Sequence, residues 1–213
     1  MTETEPARRG PKRSEQSRMA ILTAAFELTR DEDYRNLTVE GIATRAGVGK
    51  QTVYRWWATK ADVLLEALAV KAELRVSVAD RGSYRAELEE FLRDSFALLA
   101  FPGVTQALRS LMAEAQLDPE FAARFRDGFL DRRRSALAEV FQRAHARGDT
   151  PKDVPDELVA DLVFGTIWYR MLATDRPLEE ADVAPLRDLL DPTPAGRDTP
   201  TPPEGHPHAP SEH

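Results

Sequence analysis

Apolar residues recur along this chain at intervals of three and four, and no alternating run of Val, Ile, Thr or aromatic residues is bounded by hairpin turns. A sequence with that period buries helix stripes rather than sheet faces, so the expected fold class is all-α. The spacing predicts a first helix from about Glu15 to Arg30, with Leu22, Ala25, Phe26 and Thr29 on one face. Thr38 is placed to cap a short second helix that turns Val39, Ile42, Ala43 and Ala46 inward, and Gly47 to end it. A third short helix runs from near Gly49 to about Trp57, and Thr59 with Asp62 forms a capping box for a fourth that reaches about Val78. Further amphipathic helices cover about Tyr84 to Ala100 and Val104 to Gln116. Asp118-Pro119 starts a long helix that Gly148 ends, and two more run from about Pro155 to Thr174 and Asp182 to Leu190.

The 213 residues, 42% of them apolar, are enough to fill a core. With no cysteine there can be no disulfide, thiolate metal site or cysteine nucleophile. No apolar run approaches the roughly 18 residues of a membrane span, and the N-terminus is charged rather than signal-like, so the expected location is cytoplasmic. A net charge of −7 looks unfavourable for nucleic acid until it is divided. Residues 1–60 hold eleven Lys and Arg against eight Asp and Glu, and the remainder holds eighteen against twenty-eight. A phosphate responds to charge within about a Debye length, roughly 8 Å, so a basic first unit on an acidic body is compatible with DNA.

The chemistry concentrates in "LTVEGIATRAGVGKQTVYRWWATKADVL", Leu37 to Leu64. Two short helices joined by Gly47-Val48-Gly49 have helix-turn-helix spacing, in which the second helix can enter a major groove. Helical periodicity sends Val53 and Trp57 inward with Val48 and leaves Lys50, Gln51, Thr52, Tyr54, Arg55 and Trp56 outward. Those cations and the tyrosine hydroxyl suit phosphates, Gln51 suits adenine, and the Thr52 methyl suits thymine. Lys60 stands at a helix N-terminus that can also receive a phosphate. The "RRGPKR" arm, Arg8 to Arg13, is a flexible basic segment of the kind that enters minor grooves.

Over about residues 15–66 the chain resembles the N-terminal DNA-binding segment of the tetracycline-repressor (TetR) family of transcriptional regulators. The resemblance implies that Thr38, Lys50, Gln51, Thr52, Tyr54, Trp56 and Lys60 stand where family members touch DNA. Two positions depart from the motif: Gly49 replaces a serine cap, and Ala58 replaces a frequent proline. "ARGDTPKDVPDELVADLVFGTIWYRML", Ala146 to Leu172, is similar to the segment that opens the dimerisation helix in many members. It implies a homodimer paired through the last two helices, here through Leu158, Leu162, Gly165, Thr166, Tyr169, Leu186 and Leu189.

The expected organisation is therefore a disordered basic arm (1–14), a three-helix helix-turn-helix domain (15–60), a helical ligand-binding and dimerisation bundle (61–191) and a disordered proline-rich tail (192–213). The partners implied are operator DNA, a small-molecule effector and a second copy of the chain, with repression relieved by the effector. The alternative is a helical ligand-binding or protein-interaction module that no longer reads DNA. Candidate cavity residues are Phe91, Phe96, Met112, Phe125, Phe129, Phe164, Trp168 and Met171. The run "DRRRSAL", Asp131 to Leu137, reads as a surface salt-bridge face. No catalytic constellation, metal site or cofactor motif is recognisable, so no enzyme activity is expected.

Overall fold

The computed structural model describes residues 11–151, 154–174 and 176–191, and among them every regular element is helical. The first unit comprises α1 (Pro11–Asp31), α2 (Val39–Arg45) and α3 (Lys50–Tyr54). The second comprises α4 (Lys60–Arg75), α5 (Tyr84–Ala100), α6 (Val104–Leu117), α7 (Pro119–Phe125), α8 (Asp131–Arg147), α9 (Asp156–Ala173) and α10 (Val183–Leu190). The arm through Gly10 and the tail from Pro192 lie outside the described residues. α1 starts four residues earlier than expected, because Pro11 fits the first helical position, where no N–H is needed.

The α3 end also differs from expectation. The N–H groups of Trp56 and Trp57 both donate to the Val53 carbonyl, at 3.0 and 3.1 Å. That tightened turn stops the helix at Tyr54 rather than Trp57. α4 stops at Arg75 instead of Val78: Val76 is buried in an extended conformation, and the Ser77 N–H donates to Asp94 at 2.9 Å.

The expected long helix from Asp118 to Gly148 is interrupted. A π-helical turn, Arg126–Leu130, separates α7 from α8, with the Asp131 N–H bonded five residues back to Arg126. One extra residue in a turn shifts everything after it by about 100° around the axis. Without that shift Arg132 would continue the inward face of Phe121 and Phe125; with it, Arg133, Leu137, Val140 and Ala144 occupy that face. Leu137, Val140 and Ala144 are at most 1% exposed.

α4 is the wall shared by both units, packing on α1 on one side and on α5, α6 and the π turn on the other. Arg124 of α7 is held 2.8 Å from Asp62 in the first turn of α4, and Gln106 of α6 donates to the Glu32 carbonyl beyond α1. The α5–α6 turn presses directly on α1. Gly103 has φ +88°, and a Cβ there would lie 2.8 Å from the Arg30 Cβ and 3.1 Å from its Cα. Only glycine meets both demands.

Candidate nucleic-acid interface

The helix-turn-helix is built by a few local bonds. The Thr38 hydroxyl accepts from the Gly41 N–H at 3.0 Å and so caps α2. Gly47, at φ +66°, reverses the chain, and the Val48 N–H donates to Ala43 at 3.0 Å. Gly49 caps α3 with no side-chain bond, which leaves α3 held mainly by its buried face. Val53 is fully buried and Trp57 is 6% exposed, in one core with Leu22, Phe26, Ile42 and Ala43. The Trp57 indole also donates to Glu66 of α4 at 2.6 Å, so the end of α3 is tied to the second unit.

The opposite face is open, although not all of it is free. Gln51, Tyr54 and Arg55 are exposed, and Thr52 is half-buried. The Lys50 ammonium pairs with Glu40 of α2 and lies 5.4 Å from the Tyr54 ring centre. That hydrogen bond is the main reason its pKa is raised, so it stays cationic. Trp56 is half-buried, edge-on to Trp57 at 5.3 Å, with the Arg55 guanidinium 5.6 Å from its ring. Lys60 departs most from the expected outward placement. Its ammonium donates to the Tyr34 carbonyl at 2.9 Å and sits 4.4 Å from that ring, because Tyr34 is buried directly beneath the α4 N-terminus. The arm residues Arg8 and Arg9 lie outside the described residues.

The bundle contains a largely apolar cavity of about 470 Å³, bordered by α5, α6, the π turn, α8 and α9. Of the aromatics expected there, Phe129, Phe164 and Trp168 line it. Phe125 stands behind the wall, stacked between Phe121 and Phe129 and edge-on to Trp168. Phe91 is fully buried under Phe164, and Phe96 is core. Met171 borders a separate space of about 230 Å³, and Met112 packs at the edge of the α6 core stripe. Periodicity distinguishes inside from outside but not one side of a bundle from another, which is why these five fall elsewhere. The sequence reading missed the polar lining, above all Arg133. Arg132 and Arg134 do form surface pairs, with Glu73 at 3.1 Å and Asp161 at 2.7 Å, whereas Arg133 turns inward.

On α9, Leu158, Leu162, Gly165, Tyr169 and Leu172 are exposed at alternating steps of four and three, with Leu189 exposed on α10. Thr166 is half-buried, its hydroxyl bonded to the Leu162 carbonyl, and Leu186 packs partly into the core. Among the described residues no cluster of His, Asp or Glu could hold a metal ion, and no single helix is long and apolar enough to cross a membrane.

Residues 21–67 match the family described as bacterial regulatory proteins, tetR family, and residues 78–190 match the tetracyclin repressor-like C-terminal domain. The chain is 30% identical over 186 residues to the HTH-type transcriptional regulator YdeS of Bacillus subtilis, covering 86% of this chain and 91% of that one. The crystal structure of the TetR family transcription regulator SCO0332 is 30% identical, with a TM-score of 0.72 over 84% of this chain and 98% of that chain. FadR from Bacillus subtilis, solved in complex with stearoyl-CoA, is 21% identical, with a TM-score of 0.65 over 81% of this chain and 97% of that one. At that identity the likeness to FadR concerns the fold alone.

Proposed function

The chain belongs to the tetracycline-repressor family of DNA-binding transcriptional regulators, and from that premise we propose that it is a homodimeric repressor released by a small molecule. Each subunit would place α3 in a major groove of a palindromic operator. Gln51 and Thr52 would meet base edges, while Thr38, Lys50, Tyr54, Arg55, Trp56 and Lys60 would meet the backbone. The observation that carries this reading is the division of α3: Val53 and the adjoining Trp57 are buried while Gln51, Tyr54 and Arg55 face solvent. Lys50 and Lys60 would exchange Glu40 and the Tyr34 carbonyl for phosphate oxygens.

The exposed stripe on α9, with α10 beside it, supports a helix-pair seam between two copies. Its four-and-three spacing is that of helices packed at a shallow angle. The recognition helices must then stand about 34–36 Å apart to read successive grooves.

The cavity is the proposed effector site, and its position offers a route to the DNA. Its π-turn wall continues into α7, whose Arg124 grips Asp62, and Asp62 caps the first turn of α4 beside α3. Its other wall is α9, which carries the stripe. A ligand that favours one arrangement of these walls biases the spacing of the two recognition helices. A 100-fold loss of operator affinity requires about 2.7 kcal/mol of such coupling. The complex of FadR with stearoyl-CoA supports an organic effector for this fold.

Fluorescence anisotropy with DNA adjoining the protein's own coding sequence tests the reading. Affinity should fall about 10³–10⁵-fold between 50 and 200 mM salt if six to ten phosphates are engaged. A flat salt dependence would count against groove binding.

A further inference from the structure

The effector cavity is lined by a guanidinium, that of Arg133, one of whose nitrogens has no hydrogen-bond partner in the protein. The π turn rotates Arg133 toward the bundle interior, where its guanidinium carbon lies 5.1 Å from the centre of the Phe91 ring. Its Nη2 is closed off from solvent and from the cavity and has no hydrogen-bond partner, so a ligand in the void meets the guanidinium through its other N–H groups. Desolvation lowers the pKa of Arg133 to about 10, and the charge of Glu73 opposes this only in part. The other charges at the cavity largely cancel: Arg134 is paired with Asp161, and Arg126 shares the rim with Asp131. An unpaired cation in an apolar site is a cost to folding. Methionine or leucine would fill the same space without it, so what the guanidinium adds is charge.

We propose that the effector is an amphipathic carboxylate, its apolar chain or ring lodged among Leu98, Leu108, Phe129, Phe164 and Trp168 and its carboxylate paired with Arg133. The proposal rests on reading this cavity as the effector site. One forked cation fits one carboxylate, often through two parallel hydrogen bonds. With Arg126 and Arg134 offset by Asp131 and Asp161, the lining keeps one net positive charge, which matches a monoanion better than a dianion such as a phosphate monoester. The volume of about 470 Å³ lies within the range of small-molecule sites.

Matched probes test it by calorimetry on the full chain: octanoate against 1-octanol, and 2-naphthoate against 2-naphthalenemethanol. At least one acid should bind the wild type ten-fold or more tighter than its alcohol, a difference of about 1.4 kcal/mol. Arg133→Met should abolish that preference while leaving alcohol affinity within about two-fold. Acids and alcohols binding the wild type equally would overturn the carboxylate assignment and leave the cavity intact as an effector site; this arm needs no variant to fold. Persistence of the preference in R133M would also overturn it. If no probe binds at millimolar concentration, the assignment fails and the effector-site reading fails with it. Operator release, measured separately by anisotropy, bears on the regulatory reading and not on the charge preference.

Discussion

Within α3 and the turn that follows it, neighbouring side chains have opposite tasks, and substitutions should separate them. Trp57 is buried and donates to Glu66, so Trp57→Ala should cost about 3–5 kcal/mol in urea unfolding. An unchanged midpoint would remove Trp57 from the core. Tyr54 is 44% exposed, and Tyr54→Phe removes only a hydroxyl that reaches the exposed Lys50 ammonium and no buried group. It should leave the melting temperature unchanged and weaken operator binding several-fold; equal affinity would show that the hydroxyl contacts no phosphate. Gln51→Ala should relax sequence preference at one operator position by about 1–3 kcal/mol, read from binding to single-base variants. This inward–outward division was legible in the sequence, because four-residue spacing fixes which of Val53, Tyr54 and Trp57 share a face. The posture of Lys50 and Lys60 was not. Glu40 and the Tyr34 carbonyl are brought to them by the tertiary turn, and no local pattern encodes that.

Elements carry information that single residues do not. The Thr38 cap and Gly47 stop of α2 and the Thr59–Asp62 capping box of α4 could be read directly, since each depends on neighbours a few residues away; the end of α4, set by the contact of Ser77 with Asp94, could not. The π turn was legible in principle. Phe121 and Phe125 are out of phase with Leu137, Val140 and Ala144 by about one residue, which an uninterrupted helix cannot reconcile. Reading that slip would have separated Arg133 from the surface arginines on either side. Contact between distant elements is a different matter. Gly103 looked like a helix breaker, yet its deeper constraint is the backbone of α1 behind it. Gly103→Ala should therefore destabilise by about 2 kcal/mol or more, combining a left-handed alanine with a forced shift of α1. Chemical denaturation measures it; a loss below about 0.5 kcal/mol would mean that the α5–α6 turn yields freely.

For the proposed dimer the decisive quantity is the geometry of two copies, because one recognition helix would cover only half of a palindromic operator. The exposed side chains Leu158, Leu162, Tyr169 and Leu172 follow coiled-coil spacing, and Gly165 midway along them leaves room for close approach. A stable interface needs about 800 Å² from each partner, more than one helix stripe supplies, so Leu189 on α10 is expected to join it. Replacing Leu162 and Tyr169 together by glutamate would place four like charges in the paired seam. The expected product is a monomer in sedimentation velocity with unchanged helix content, because both side chains already face solvent in the single chain. Operator affinity should then fall steeply at nanomolar protein, while binding of small molecules to the cavity survives, since neither residue lines it. If the double variant remains a dimer, the subunits meet elsewhere, and the cavity wall on α9 loses its direct connection to the spacing of the recognition helices.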